Sequence, residues 1–280
     1  MAKVGVVVVT YRSAAVIGEC LSSLRASSSA PIEIVVVDNA SPDASVDVAR
    51  AADSAAVVIS RPTNDGYGAA NNAGIEALDA HTQFVLFANP DTVWPVGGVD
   101  ALVARLHDDG VGLVSPALID EHGAPQPFVE DDLHLGAVLR GMTRLGRPIR
   151  PRTPDGDRSV DWVHTAAAVV PMSVVRALRG FDERFFLYAE DADFCRRVRA
   201  LGKRVEIATD VRVTHVGGAS MDASHDADSL AGMRTAALAS YLEKYDGPMA
   251  RRAFGAVGTI VYGLGRHRGQ ARAAWNALRT

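Results

Sequence analysis

An α/β fold with a mainly parallel, doubly wound sheet is what this 280-residue sequence predicts, on three observations. Short β-branched runs alternate with segments of helical length through the first half of the chain. Runs such as Val35-Val36-Val37 are continuously apolar, as strands covered on both faces must be. Hydrophobic residues make up 48% of the chain and charged ones 22%, enough apolar content to bury a sizeable core and too much for a disordered chain.

The first strand is Val4–Val9, followed by a helix over Ala14–Ala26 whose Val16, Cys20, Leu21 and Leu24 recur at helical spacing. Ile32–Val37 is the second strand, Ala44–Ala52 its helix, and Val57–Ser60 the third strand. A helix at Tyr67–Leu78, a strand at Phe84–Phe87, a helix at Val96–His107 and a strand at Val111–Ser115 continue the alternation. Pro116–Ser159 breaks it with proline, glycine and charge, keeps one helix around Leu133–Thr143, and ends in a basic loop, Arg144–Arg158. Val160–Pro171 reads as a strand, Glu190–Leu201 as a helix, and Arg204–Ile207 and Val211–His215 as two more strands. Gly217–Asp228 reads as a polar, mobile loop, with helices beyond it.

Charge and cysteine content exclude several classes. With 29 Lys+Arg against 33 Asp+Glu the net charge is −4, which argues against a general nucleic-acid binder. Cys20 and Cys195 alone cannot form a disulfide framework or a zinc cluster, and a reducing cytoplasm fits best. Val4–Val9 is too short for a secretion-signal core, and Ala253–Gly265 falls short of the roughly 20 residues that span a bilayer. A cytoplasmic chain is therefore expected. From Asp246 onward, six arginines face one acid, a surplus of +5 that leaves −9 for the rest. With Phe254, Ile260, Val261, Leu264 and Trp275 among those arginines, the tail is either an interfacial helix for anionic lipid or a helix packed on the domain with a solvated basic face.

Chemistry concentrates where strands end. Asp38, after the second strand, can accept from an imide N–H or a ribose hydroxyl, and Tyr11 offers a ring on which a base can stack; Asp38 and Ser41 can equally cap the next helix. Asn64-Asp65-Gly66-Tyr67-Gly68 is a glycine-containing turn whose amides could approach a diphosphate at a helix start. It is only a fragment of a dinucleotide fingerprint, and it follows the third strand rather than the first, which argues against a nicotinamide or flavin enzyme. Asn89-Pro90-Asp91 presents an acid directly after a buried strand, the kind of ligand that Mg2+ or Mn2+ combines with phosphate oxygens; alone, the tripeptide is also an ordinary turn. Glu190, Asp191 and Asp193 crowd one helix start, as a dipole-stabilised cap or as a general base beside a pocket. His215 ends a strand before a flexible stretch, where a histidine is either structural or a ligand.

In order, the segments Val8–Arg12, Val37–Ser41, Asn64–Asn72, Asn89–Thr92, Gly180–Asp193 and Val213–Gly218 resemble the family 2 inverting glycosyltransferases of the GT-A fold, nearest the rhamnosyltransferase-like branch. The resemblance covers about residues 4–218. It implies a nucleotide-sugar-binding half (1–115), an acceptor-binding and base-bearing half (116–228) and a helical basic tail (229–280). It implies that Thr10, Tyr11 and Asp38 hold the base and ribose, that Asn64, Gly66 and Asn71 line the nucleotide pocket, and that Asn89 contacts ribose or a metal-bound water. Asp91 and His215 would hold Mg2+ or Mn2+, Asp191 would be the base, Glu190 would orient it or contact acceptor, and Asp193 would cap the helix. Trp162 and His164 would stand on the acceptor side. Asn89 replaces the first acid of the family's carboxylate-x-carboxylate pattern, which removes one negative charge from the metal site.

The activity so implied is transfer of a deoxyhexose such as L-rhamnose from a dTDP- or UDP-sugar to a glycan, lipid-linked or small-molecule acceptor, in cell-envelope synthesis at the inner face of the plasma membrane. A degenerate nucleotide-sugar-binding protein, or a transferase acting on a soluble natural product, is the alternative.

Overall fold

Seven consecutive buried residues make Val4–Thr10 an interior strand, β1. The computed structural model describes residues 3–126, 133–143, 158–217, 227–264 and 268–279. β2 (Glu33–Asp38) and β4 (Phe84–Ala88) flank β1 in parallel, and β3 (Val57–Ser60) pairs outside β2. The crossovers carry α1 (Ile17–Ala26), α2 (Ser45–Ala52) and α3 (Tyr67–Ala77). Alternate side chains of the sheet feed two cores: Val6, Val8, Ile34 and Val36 pack with Ile17, Leu21 and Leu24 of α1, while Val7, Val35 and Val37 pack with Ala70 of α3. In α3, Gly74 lies so close to the sheet that a Cβ would stand 2.3 Å from Val7 Cγ1. Parallel pairing brings Thr10, Asp38 and Ser60 to one end of the sheet.

The second half adds β5 (Thr92–Val93), α4 (Gly98–Arg105), β6 (Val111–Ile119), α5 (Leu135–Thr143), β7 (Arg158–Val160), β8 (Ala167–Pro171), α6 (Met172–Leu178), α7 (Glu190–Ala200) and β9 (Arg204–His215). Among the described residues the strand order is β3-β2-β1-β4-β8-β6-β9-β5, with β7 on β9. The expected α/β sheet is present. Its parallel character belongs to β3-β2-β1-β4 and to the β6–β9 pair, whereas β8, β5 and β7 run antiparallel to their neighbours.

Two expectations change here. The strand read over Val160–Pro171 is two strands, because residues 161–166 leave β7 and cross to the end of β8. The strands read at Arg204–Ile207 and Val211–His215 are one: the polar pair Thr209-Asp210 suggests a turn, but the register shift from Pro116↔Ala208 to Ala117↔Arg212 absorbs the extra residues as a bulge. The short helix α6 carries no strong sequence signal and was not foreseen. Of the basic loop Arg144–Arg158 only Arg158 is described, and Gly217–Asp228 lies outside the described residues except Gly217, Ala227 and Asp228.

The tail forms α8 (Ala227–Asp246), α9 (Pro248–Leu264) and α10 (Arg268–Arg279), packed together around Ala239, Leu242, Ala250, Phe254 and Ala277, with Val138 of α5 completing the cluster. Phe254 is thus interior, while Met249, Ile260 and Trp275 remain exposed. No helix among the described residues is long and apolar enough to cross a membrane.

A buried ionic cluster fastens this tail to the domain. Asp193 is not the expected cap of α7; Ala189 occupies that position. The fully buried Asp193 carboxylate instead accepts hydrogen bonds from Arg197 Nε (2.7 Å), the Tyr245 hydroxyl (2.7 Å) and Lys244 Nζ. Lys244 also pairs with Asp182 at 2.7 Å, and Arg197 donates to the Leu178 and Gly180 carbonyls. Substituting Asp193→Asn leaves the poorly solvated Arg197 without a carboxylate partner and Lys244 with Asp182 alone. We expect a loss of about 3 kcal/mol, the size found for breaking buried pairs, read as a fall in Tm of roughly 6–12 °C. An unchanged melting curve would remove the cluster from any structural role.

Candidate active site

A cavity of about 750 Å3 opens at the end of the sheet where β1 and β4 terminate, and β6, β9, the approach to β8 and the start of α7 complete its wall. Thr10 and Asp38 are register partners at the ends of β1 and β2, and both are buried. Asp38 Oδ2 accepts the Ser41 N–H at 3.1 Å, yet Asp38 Oδ1 and Thr10 Oγ1 have no hydrogen-bond partner. Unsatisfied buried groups of this kind cost about 1–3 kcal/mol each, so a ligand or water that reaches them recovers that energy. Thr10 and Asp38 stand behind the cavity wall; their neighbours Tyr11 and Asn39 form it.

The turn after β3 is held from two sides. Asn39 Nδ2 donates to Asn64 Oδ1 (2.8 Å) and to the Gly66 carbonyl (3.1 Å), and Asn64 Oδ1 also accepts the Gly66 N–H. Gly66 has φ +95°, and a Cβ there would meet the Phe186 carbonyl oxygen at 2.3 Å, so this position requires glycine. Asn64 and Gly66 line the cavity. Asn71 does not: it is fully buried in α3, where its Nδ2 donates to the Tyr67 carbonyl at 3.0 Å. Helical spacing from Tyr67 turns it inward.

On the far side of β4, the β5–β9 pairing sets Thr92 opposite His215 and so brings Asn89, Asp91 and His215 together. Asp91 Oδ1 lies 3.4 Å from His215 Nε2, and Asn89 Nδ2 is also 3.4 Å from that nitrogen. Gln126 settles the tautomer. Its Nε2 donates to the His215 carbonyl at 2.6 Å, so its Oε1, 2.8 Å from Nδ1, must accept from an Nδ1–H. In the neutral ring the Nε2 lone pair then faces the Asp91 carboxylate, an arrangement that favours a cation between the two acceptors. Among the described residues no group of three or more His, Cys, Asp and Glu side chains converges. Two protein donors nevertheless fit a hard divalent ion that fills its remaining positions with phosphate oxygens and water.

The opposite wall carries the acids. Tyr188 and Ala189 both have positive φ, +69° and +65°, a sharp left-handed turn that delivers the first turn of α7 to the cavity. Asp191 Oδ1 accepts the Thr165 N–H at 3.2 Å and the Thr165 hydroxyl, while Oδ2 lies 3.4 Å from His164 Nδ1. Thr165 is itself held through its carbonyl, which accepts from the Tyr67 hydroxyl at 3.0 Å. Glu190 is buried beside Asp191 and its Oε2 has no partner. Burial first, and then the charge of Asp191, raise its pKa to about 8, which keeps this acid largely protonated at neutral pH. His164 lines the cavity, but Trp162 packs half-buried against the core with its ring edge-on to His164, and is not a wall residue.

Of the residues expected at the site, Tyr11, Asn64, Gly66, Asn89, Asp91, His164, Glu190, Asp191 and His215 share one cavity. The sequence reading missed Asn39, Gln126, Thr165, Arg212 and Arg234, which also line it. Arg212 had a faint signal, as a cation between the buried valines of a strand, and Thr165 had one in adjoining His164 within a segment tied to acceptor recognition; Gln126 and Arg234 had none, since tertiary contacts alone bring them in.

Residues 5–168, over half the chain, match the family model for Glycosyl transferase family 2. Among curated proteins the chain is similar to an N-acetylglucosaminyl-diphospho-decaprenol L-rhamnosyltransferase of Mycobacterium tuberculosis, 29% identical over 70% of each chain. It is also similar to a low-salt glycan biosynthesis hexosyltransferase of Haloferax volcanii, 28% identical over 69% of this chain and 61% of that one. Among solved structures, a mannosyltransferase from Pyrobaculum calidifontis in complex with GDP-Man and Mn2+ matches 99% of this chain and 74% of its own, with a TM-score of 0.62 and 19% identity. S. aureus TarS in complex with UDP matches 99% and 90%, with a TM-score of 0.55 and 16% identity. Those structural likenesses show the fold.

The raised Glu190 acid has a consequence for stability. Between pH 4.5 and 8 the folded chain keeps a proton on Glu190 that the unfolded chain has lost, so this residue's contribution to stability declines as pH rises through that window. The Glu190→Gln variant should lack that decline. Thermal melts of both proteins from pH 5 to 8 should show the native Tm falling relative to the variant's, and parallel curves would contradict a buried, proton-retaining Glu190.

Proposed function

The chain belongs to glycosyl transferase family 2 and is a glycosyltransferase, and from that premise we propose that it transfers a deoxyhexose such as L-rhamnose from a nucleotide diphosphate, dTDP-rhamnose first, to an acceptor hydroxyl by an inverting single displacement in cell-envelope glycan synthesis. The sugar and the acceptor class rest on the rhamnosyltransferase relative. The observation that carries the mechanism is that Asp191, held by Thr165, faces the same cavity as the Asp91–His215 pair.

In this reading Tyr11 stacks on the base, and Asp38 and Thr10, buried behind the wall that Tyr11 and Asn39 form, back that contact rather than touch the nucleotide. Asn64 and Gly66, fixed by Asn39, close over the nucleotide. Asp91 and His215 would hold Mg2+ or Mn2+, which offsets the charge that develops on the leaving diphosphate. Thr165 occupies Asp191 Oδ1, so Oδ2, whose one described partner is His164 Nδ1 at 3.4 Å, is the atom that takes the acceptor proton. As that proton moves to Asp191, the acceptor oxygen bonds to the anomeric carbon and the carbon–diphosphate bond breaks on the opposite face, with inversion. Neutral Glu190 adds no second charge beside the base and can donate a hydrogen bond to a sugar oxygen.

Nucleotide release from dTDP-rhamnose and from UDP-sugars, measured with a diphosphoprenyl-linked N-acetylglucosamine acceptor, tests this. Asp191→Asn should lower turnover by about 10^2–10^4-fold while nucleotide affinity changes less than twofold. A chelator should suppress the native rate, with Mg2+ or Mn2+ restoring it. Full turnover in the Asp191→Asn variant would reject the base, and full turnover in excess chelator would reject the cation.

We also place the enzyme at the inner membrane surface through its basic tail, where exposed Met249, Ile260 and Trp275, with Arg279 over the Trp275 ring, support an interfacial contact. Co-sedimentation with phosphatidylglycerol vesicles, absent with phosphatidylcholine and lost at high salt, is the result expected. Equal recovery with both lipids would count against it.

A further inference from the structure

Two cations in the cavity wall have no part in the chemistry above. Arg212 of β9 and Arg234 of α8 both line the cavity that Asp191 faces, and neither forms an ion pair with a described residue. Arg234 lies over the Tyr188 ring, 4.7 Å from its centroid, on the left-handed turn that precedes Asp191. Arg212 stands across from Ala117, on the face of β9 opposite the buried Val211 and Val213. The wall beside it is apolar, from Pro116, Leu118 and Ile119 of β6.

Guanidinium groups at one concavity, unpaired and next to apolar surface, raise the local potential for an anion and can meet phosphate oxygens through several N–H donors. The donor diphosphate has its own place in the proposed reading, against Asp91 and His215. Arg234 is instead tied to the turn that carries the base, and the base must meet the acceptor. Its helix also lies beyond residues 5–168, the stretch shared with the family model. We propose that Arg212 and Arg234 form an anion subsite for the acceptor, binding a phosphate or diphosphate attached near the hydroxyl that Asp191 deprotonates. The inference rests on the transferase reading in treating the Asp191 side of the cavity as the acceptor's. It makes the acceptor an anionic molecule, where a bare glycan end would leave both arginines unused.

The test is calorimetric titration of the native chain with farnesyl diphosphate, inorganic diphosphate and farnesol, each with dTDP or UDP already saturating the donor side. Farnesyl diphosphate should bind and farnesol should not. Arg212→Gln and Arg234→Gln should each weaken farnesyl diphosphate roughly tenfold, the loss of one charge-assisted bond, while nucleotide affinity stays within twofold and reports an intact fold. Tighter binding of farnesyl diphosphate than of inorganic diphosphate would assign the anion to a lipid carrier, and equal binding to the phosphate alone. Displacement of farnesyl diphosphate by the nucleotide, or unchanged affinity in both variants, would overturn the subsite. If no nucleotide binds, the transferase reading fails on its own, and arginine-dependent binding of farnesyl diphosphate would still stand apart from it.

Discussion

Asp193 is the constraint on which the site depends. A carboxylate with no exposure to water is tolerable only while its donors stay in place, and those donors come from α7 itself (Arg197) and from α8 (Lys244 and Tyr245). Buried ion pairs are weak evidence for stability, because desolvation consumes most of the Coulomb gain. Their effect here is to single out one placement of α7, since a slide or rotation of that helix would leave Asp193 unsatisfied. The same cluster reaches Asp182 and the carbonyls of Leu178 and Gly180, so the loop entering α7 is fixed with it. Aromatic contacts reinforce the joint, with Arg196 4.0 Å from the Tyr245 ring centroid and Phe185 against Tyr241.

From that anchor the acidic wall follows. Consecutive left-handed residues at Tyr188 and Ala189 are costly for side-chain-bearing positions, and they persist because the chain is held on both sides. Downstream lies the Asp193 cluster; upstream, the Phe186 carbonyl accepts the Tyr67 N–H at 2.9 Å, against a Gly66 that leaves no room for a Cβ. The nucleotide-side turn and the base-side loop are therefore clamped to each other as well as to the sheet. α8 belongs to this mechanical unit although it lies outside the stretch shared with the family model.

The first half of the chain was readable because parallel strands buried on both faces are apolar through their length, as the middles of β1, β2 and β4 are, while the edge strand β3 is only partly covered. In the second half antiparallel insertion and a bulge separate sequence pattern from pairing, which is why β7 and β8 read as one strand and β9 as two. At the site, acids and glycines at strand ends carried a signal because their positions are local. Asn71 and Trp162 show the limit of that reasoning, since each sits in a matching motif or beside one and faces away from the cavity. Asp193 is the clearest case: an acid in the first turn suits a helix dipole, and nothing nearby in the chain reveals a lysine 51 positions away.

Charge balance within the cavity is the remaining problem that this architecture solves. A diphosphate entering a wall that bears Asp91, Glu190 and Asp191 would meet strong repulsion if all three were ionised. Burial removes one of those charges, because Glu190 holds its proton next to Asp191. Gln126 prepares another part of the wall by turning the His215 Nε2 lone pair toward Asp91, which makes that corner receptive to a cation rather than to a free anion. Neutral acid beside charged acid is also the arrangement that separates a proton acceptor from a hydrogen-bond donor within one turn of helix. Were Glu190 as exposed as Asp191, the two carboxylates would compete for a single proton and neither role would be defined. The depth of Glu190 and the shallower seat of Asp191 on Thr165 are thus one feature, set by the angle at which the Asp193 cluster holds α7.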